Sequence, residues 1–217
     1  MNETEIGGGD VRFGPTAWTV VRSAQSGSRA AWDTLIASYW KPAYFFIRRR
    51  GHDVESAKDL TQGFFAVALE KDFLDGVSAD QGKFRTWLLA ALGHYLSNER
   101  DRANAKKRGG GIDFLRAELD LPDVGPTPEA AFLAGWARET LARAMERLRR
   151  QVSEADLALL KGTSTSDLTP TDRKHRLYRL RNKLRDCLRE EIAPSLEKAE
   201  EVESEVRELF RALGKDF

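Results

Sequence analysis

The chain has 217 residues, of which 41% are hydrophobic and 32% are charged, and its formal net charge is +1. This length and composition predict either one large domain or two small ones, with enough apolar residues for a packed core. The single cysteine, Cys187, excludes an intramolecular disulfide, the N-terminus lacks the pattern of a signal peptide, and the longest apolar runs are too short to span a bilayer. We therefore expect a cytoplasmic protein with no membrane partner.

Apolar residues recur at intervals of three and four along almost the whole chain, and no alternation typical of strands is evident. The pattern predicts an all-α fold with a flexible start at 1–14 and a first domain at 15–111. The helices of this domain are expected to begin after Pro15, near Ser28, after Asp53 and near Lys83. Pro42 lies inside the second of these helices, where it should produce a kink.

Residues 112–127 are acidic and contain two prolines, so they are predicted to be a linker between two small helical domains. The second domain, 128–193, is expected to hold a first helix, a short helix at 154–161 and a long basic helix after the capping sequence Thr169-Pro170. The last segment, 194–217, is predicted to contain an acidic amphipathic helix.

The near-neutral net charge conceals two segments of opposite charge. Residues 171–189 carry eight Arg or Lys against two acids, and residues 190–208 carry eight Glu against one Lys and one Arg. A basic stripe of this kind can bind nucleic acid whatever the average charge is. We hypothesise that the acidic helix packs against the basic one as an internal brake on that binding.

The short helix, turn and basic helix at 153–190 have the outline of a helix-turn-helix, whose second helix lies in the major groove of DNA. The first residues of that helix would face base edges, and neighbouring arginines would contact phosphates, which makes binding sensitive to salt. The candidates for base edges are Thr171, Lys174, His175 and Tyr178. The candidates for phosphates are Arg173, Arg176, Arg179 and Arg181. A solvated basic helix face explains the segment equally well.

The helix predicted at 83–108 combines the aromatic residues Phe84, Trp87 and Tyr95 with a basic end. Exposed aromatic rings can stack on unpaired bases, which would make this helix a binding site for single-stranded nucleic acid. The spacing of the rings nevertheless indicates that most of them face a core, so a core role is the favoured interpretation of this helix alone.

The sequence lacks the patterns of an enzyme. Its glycine runs do not follow strands and lack phosphate-loop spacing, and its three histidines are far apart with no metal-ligand spacing. His94 and Asn98 are one helical turn apart, which a polar helix face explains as well as a site does. No nucleophile, base and orienting group occur together. We therefore expect no catalytic residues, no metal and no cofactor.

Three ordered blocks resemble region 2 of the extracytoplasmic-function (ECF) sigma factors. They are YWKPAYFFIRRRGH from residue 39, AKDLTQGFF from residue 57 and GKFRTWL from residue 82. A further stretch, LTPTDRKHRLYRLRNKLRDCL at 168–188, is similar to the recognition helix of region 4 in the same family. The run DLTQGFF and the sequence KKRGGG look like a subgroup common in planctomycete-like bacteria. The resemblance covers residues 15–111 and 168–188.

The resemblance implies a non-catalytic bacterial promoter-specificity factor, in which a region 2-like bundle and a region 4-like helix-turn-helix are joined by the acidic linker. The helix at 53–70 would dock on the clamp helices of core RNA polymerase, with contact candidates Asp59, Leu60, Gln62 and Phe65. The helix at 83–108 would capture the melted start-proximal promoter element, with candidates Arg85, Trp87, His94, Asn98 and Arg102. The unit at 153–190 would read the upstream promoter element. An anti-sigma factor is a further candidate partner.

Two features depart from the family pattern. The segment GTSTSD at 162–167 is shorter than the helix that relatives have there, and Asp101 stands where many relatives have a basic residue. The first departure puts reading of the upstream element in doubt, and the second weakens the expected single-strand contacts. A second interpretation therefore stays open, in which the chain is a polymerase-binding helical adaptor or regulator with a degenerate DNA-reading domain.

Overall fold

The structure is a computed structural model, and it describes residues 18–70, 73–108, 125–163, 168–193, 196 and 199–214. These residues form helices and turns and no strand, so the predicted all-α class is confirmed for the described part of the chain. The helices are α1 (Trp18–Gln25), α2 (Arg29–Arg49), α3 (Val54–Glu70), α4 (Phe84–Arg108), α5 (Pro128–Arg149), α6 (Glu154–Lys161), α7 (Pro170–Ile192) and α8 (Val202–Ala212). The predicted flexible start at 1–14 lies outside these residues.

Side-chain caps begin the helices where the sequence predicts them. The hydroxyl of Ser28 accepts a hydrogen bond from the backbone of Ala31 at the start of α2, and Thr169 does the same for Asp172 at the start of α7. Such caps satisfy backbone N–H groups that have no partner inside the helix. The helix starts after Asp53, at Pro128 and at Glu154 are confirmed in the same way.

Helix α2 lies at the centre of the fold, where it packs against α1, α3 and α5. The ring of Tyr39 contacts Phe84 of α4 with centroids 5.5 Å apart and stacks on Phe132 of α5 at 6.3 Å. Gly135 of α5 faces Pro42 of α2 so closely that an added Cβ would lie 3.0 Å from the Pro42 Cα. The two backbones approach this closely because glycine has no side chain.

Most of the buried apolar residues of the described chain belong to one cluster, which extends from Trp18 to Phe210. It runs across the predicted boundary between the two domains, because α5, α7 and α8 pack on one another and α5 packs on α2. The polar edge of this contact includes an ion pair between Lys41 and Glu139 at 3.0 Å. The division into two domains stays a prediction, since most of the linker, 112–124, lies outside the described residues.

Buried charges accompany apolar residues between α5 and α7. Glu191, which is 3% exposed, lies 3.0 Å from Arg147 and 3.4 Å from Arg143. A buried carboxylate of this kind is tolerated when cations and hydrogen bonds compensate for its lost hydration. Cys187 is also buried here, and its burial raises the pKa of the thiol above the ordinary value. In the part of the chain that the structure describes, none of the helices is long and apolar enough to cross a membrane.

Candidate nucleic-acid interface

The first half of α7 presents an exposed cationic face. Its exposed residues are Thr171, Asp172, Arg173, Lys174, His175, Tyr178, Arg179 and Arg181. Tyr178 is 66% exposed, which is the largest exposure among the bulky apolar side chains of the described residues. Lys174 and Tyr178, which are one turn apart, line a shallow groove with Pro170, Arg173, Leu177 and Arg181. The structure therefore leaves most of the α7 residues predicted to contact DNA exposed, and four of them, Arg173, Lys174, Tyr178 and Arg181, line one groove.

Three basic side chains of this segment, Arg173, Lys174 and Arg179, make no ion pair within the described ranges. Cations left unpaired on an exposed helix produce a local positive potential, which attracts a polyanion. A second groove lies behind this face, between α7 and the start of α6, and its cationic lining residues are Arg150, Arg176, Arg179 and Lys183.

Arg176 differs from the other arginines of the first half of α7. Its Nε donates a hydrogen bond to the carboxylate of Asp156 in α6 at 2.6 Å. This hydrogen bond lowers the pKa of Asp156, which keeps the carboxylate charged and the pair intact. The pair holds α6 against α7, so the geometry favours a positioning role for Arg176 over the predicted phosphate contact.

The short helix before the turn is present as predicted. Helix α6 has eight residues, is capped by Ser153 and ends at Gly162, whose left-handed backbone (φ 76°) suits glycine. Leu157 and Leu159 of α6 and Leu180 of α7 are buried, and the two helices pack against each other. The rest of the turn, 164–167, lies outside the described residues.

The start of α4 is buried, in contrast with α7. Arg85 is 4% exposed, and its guanidinium lies 4.2 Å from the centre of the Trp136 ring. It forms an ion pair with Glu205 of α8 and lies 3.0 Å from the Glu208 carboxylate. The predicted strand contact for Arg85 is therefore inaccessible in this arrangement, because α5 and α8 cover the side chain.

Lys83, just before α4, joins the same cluster. Its ammonium lies 2.5 Å from Glu205 and 2.6 Å from Glu208. Burial raises the pKa of Glu208, but the hydrogen bond from Lys83 and the charge of Arg85 outweigh that effect, so the pKa lies below its ordinary value. We call Lys83, Arg85, Glu205 and Glu208 the α4–α8 ion cluster.

The remaining α4 candidates divide between core and surface. Trp87 is half-buried, stacks on Phe84 at 5.6 Å and meets the edge of Phe73 at 5.0 Å, which confirms a core role for this ring. The candidates His94, Asn98 and Arg102 are exposed and share one helix face because they are four residues apart. Arg102 also pairs with Glu99 at 2.5 Å.

The candidates for polymerase docking lie on α3. Asp59 and Gln62 are exposed and Leu60 is half-buried, so these three can be reached by a partner. Phe65 is 5% exposed and packs edge-on against Phe64 with centroids 5.1 Å apart. Its ring belongs to the core in this arrangement, so the structure lends no support to a docking contact through Phe65, and that contact stays a prediction.

Sequence reasoning missed the residues that cover Arg85. Trp136 belongs to none of the predicted sites, and Glu205 is one of the eight Glu residues of 190–208. A signal was nevertheless present: Glu205 follows Val202 by three residues and precedes Leu209 by four, which places it on the apolar face of α8. A carboxylate in that position indicates a buried cation opposite, although it does not say which one.

The fold and this surface define the class of the molecule as an all-helical protein with an exposed cationic helix. No protein-family model, curated protein or solved structure matches this chain significantly. Within the described residues there is no group of three or more His, Cys, Asp or Glu side chains that could hold a metal ion.

Proposed function

We propose that this chain is a sigma factor of the extracytoplasmic-function type, which binds core RNA polymerase and directs promoter recognition and melting. The observation that carries the proposal is the exposed cationic face of α7. Arg173 and Lys174 line a groove beside the exposed ring of Tyr178, and neither cation makes an ion pair in the described residues. Together with the resemblance in 39–88, this face supports contact with promoter DNA.

The relation between α6 and α7 supports insertion of α7 into the major groove. The α6 helix is short, and the Asp156–Arg176 pair holds it against α7. An α-helix fits the width of the major groove, and in a helix-turn-helix the first residues of the second helix face base edges. The exposed Lys174 and His175 occupy those positions, and Arg173 and Arg179 are the phosphate contacts of the proposal.

Docking on the polymerase is the second element of the proposal. Asp59 and Gln62 are the exposed members of the DLTQGFF block on α3, while Phe65 of the same block is buried. An exposed polar strip on a helix with an aromatic core behind it suits a rigid docking surface. The proposed contact therefore involves Asp59, Leu60 and Gln62, without Phe65.

A second candidate function is favoured by the burial of Arg85. A chain whose strand-capture arginine stays covered would bind polymerase without melting a promoter, and it would act as a helical adaptor or regulator. This candidate shares the α3 docking surface with the first one. The two candidate functions differ only in whether the chain directs promoter melting, so a transcription assay separates them.

The test uses the full-length chain, core RNA polymerase and a mixture of linear DNA templates, with sequencing of the transcripts. We expect the chain to bind the polymerase and to produce transcripts that start at defined sequences. Asp59→Ala combined with Gln62→Ala should abolish both effects, while the control Glu70→Ala at the exposed end of α3 should leave them unchanged. Absence of polymerase binding would contradict the proposal, and binding without defined starts would favour the adaptor.

A further inference from the structure

The acidic helix α8 is anchored at a specific place by both apolar and charged contacts. Val202, Val206, Leu209 and Phe210 are buried, and Glu205 among them is fully buried with 0% exposure. A charged residue inside an apolar face costs free energy unless a cation faces it, so it disfavours any docking position without one. The cation in this position is Arg85, which lies 120 residues earlier in the chain.

The carboxylates of α8 occupy the sites that phosphates would take on Lys83 and Arg85. Arginine binds carboxylate and phosphate through the same planar set of N–H donors, and lysine binds either group as a point charge. Glu205 and Glu208 each contact both cations, and their carboxylates lie 2.5 Å and 2.6 Å from the Lys83 ammonium. A nucleic-acid strand and α8 therefore compete for the same two side chains.

We propose that α8 is an autoinhibitory element that covers the single-strand site at the start of α4 and leaves the duplex-reading face of α7 open. The proposal rests on the proposed function, since it gives Arg85 the role of a strand contact. It differs from a brake on the basic helix itself. Glu203 of α8 forms an ion pair with Arg189 at 2.5 Å, near the far end of α7.

The distance along α7 explains why α8 would block the single-strand site and leave the duplex-reading face of α7 open. Arg189 lies 15 residues after Lys174, which corresponds to about 22 Å along a helix. Contacts of α8 with Arg189 therefore do not reach the exposed face around Lys174 and Tyr178. The closed chain can meet duplex DNA through α7, and strand capture follows only when α8 leaves Lys83 and Arg85.

The covalent connection between α7 and α8 sets the strength of the competition. A tethered segment acts at an effective concentration in the millimolar range, so a dilute oligonucleotide displaces it poorly. A partner that separates α8 from α4, such as a polymerase docked on the chain, would remove that competitor. The inhibition is therefore intramolecular and is expected in the purified chain alone.

Two variants of the full-length chain release α8 in different ways. Glu208→Gln removes one carboxylate from the α4–α8 ion cluster, and Glu200→Gln is its control, because Glu200 is exposed and outside that cluster. Leu209→Ala removes a fully buried apolar side chain from α8 without a change in charge. A gain of strand binding in Leu209→Ala therefore cannot come from a more positive protein.

Two measurements report whether α8 is released from α4 and whether that release increases binding of a single strand. Hydrogen exchange of the α8 amides reports whether the helix is detached, and fluorescence anisotropy gives the affinity for a labelled single strand and for a duplex of the same sequence. In Glu208→Gln and Leu209→Ala we expect faster exchange in α8 and a single-strand affinity that rises by about tenfold, which corresponds to about 1.4 kcal/mol. Duplex affinity and the Glu200→Gln control should match the parent chain, and adding Lys83→Ala to Glu208→Gln should remove the gain, because Lys83 is the half-exposed cation of the proposed strand site.

Each contrary outcome has a distinct meaning. Unchanged exchange in both variants would show that these contacts do not hold α8, and faster exchange without a gain in strand affinity would show that α8 covers no strand site. Either result overturns the proposal, as does an equal gain for duplex and single strand. Failure of the parent chain to bind duplex DNA at low salt would instead count against the proposed function. The affinity of the parent chain is measured independently of the affinity ratio between variant and parent.

Discussion

The first half of α7 and the start of α4 are both basic segments, but the fold treats them in opposite ways. On α7, Arg173, Lys174 and Arg179 are exposed and lack ion pairs in the described residues. At α4, Arg85 is 4% exposed and is held by Glu205, Glu208 and the Trp136 ring. The difference teaches that a basic residue in a DNA-binding pattern is available to DNA only if no acidic element of the same chain has already paired with it.

The largest effect is expected on the free energy of unfolding when the buried cation Arg85 is removed. Arg85→Ala leaves Glu205 buried without its principal partner, which should lower the free energy of unfolding by about 3–5 kcal/mol. The control Arg189→Ala removes an exposed ion pair with Glu203 and should cost less than about 1 kcal/mol. Urea unfolding measured for both variants checks this, and equal costs would show that the α4–α8 ion cluster has no special role in stability.

The next largest effect is expected on the free energy of unfolding, at the close contact between α2 and α5. Gly135→Ala places a methyl group 3.0 Å from the Pro42 Cα, a backbone atom that cannot turn aside, so overpacking should cost about 1–3 kcal/mol. The matched control is Gly93→Ala in α4, where an added Cβ meets nothing within 4 Å and better helix propensity should stabilise by up to about 1 kcal/mol. Thermal unfolding of the two variants should shift in opposite directions. A shift of the same sign would contradict close packing of α5 on α2.

Smaller effects are expected on duplex binding by the exposed residues of α7. Lys174→Ala should lower the preference for the correct duplex sequence by about 1–3 kcal/mol, whereas Arg179→Ala should weaken all duplexes alike and reduce the salt slope by about one. Anisotropy titrations on matched and scrambled duplexes at several salt concentrations separate the two. Identical behaviour of the two variants would argue that α7 does not enter the groove.

Arg176 offers an internal check on the same surface. If it positions α6 through Asp156, then Arg176→Ala and Asp156→Ala should weaken duplex binding to a similar, small extent, and the double variant should cost no more than either. If Arg176 contacts a phosphate, only its own removal should reduce the salt slope. A double-mutant cycle on duplex affinity distinguishes the two roles.

The smallest expected effect is a dependence of stability on pH. The pKa of Glu208 is lowered from its ordinary value of 4.5, so its ion pairs stabilise the fold above pH 4.5 and are lost as the pH falls through the lowered pKa. Because about a third of the side chain is exposed, the contribution should stay below about 1 kcal/mol. Melting temperatures measured between pH 7 and pH 3 should fall more steeply for the parent than for Glu208→Gln, and parallel curves would contradict the assignment.

Local features of the fold were predictable from the sequence. The caps at Ser28 and Thr169 depend on a few neighbouring residues, and the structure confirms them. The recurrence of apolar residues at intervals of three and four likewise predicted the helices of the described chain. These predictions succeed because helix formation and amphipathic burial are decided within one or two turns.

Only the tertiary structure decided which charges remain available. The partner of Arg85 is 120 residues away, and no local pattern identifies it, because several acids of the last helix have similar neighbours. The same holds for the pair of Arg176 with Asp156 and for the ring of Phe65, whose burial depends on how α3 packs against the rest of the chain. The sequence alone therefore determined the helices and their cationic and acidic segments. Long-range packing determined that the cations of α7 are exposed, while those at the start of α4 pair with carboxylates of α8. Burial and ion pairing depend on which helices contact each other.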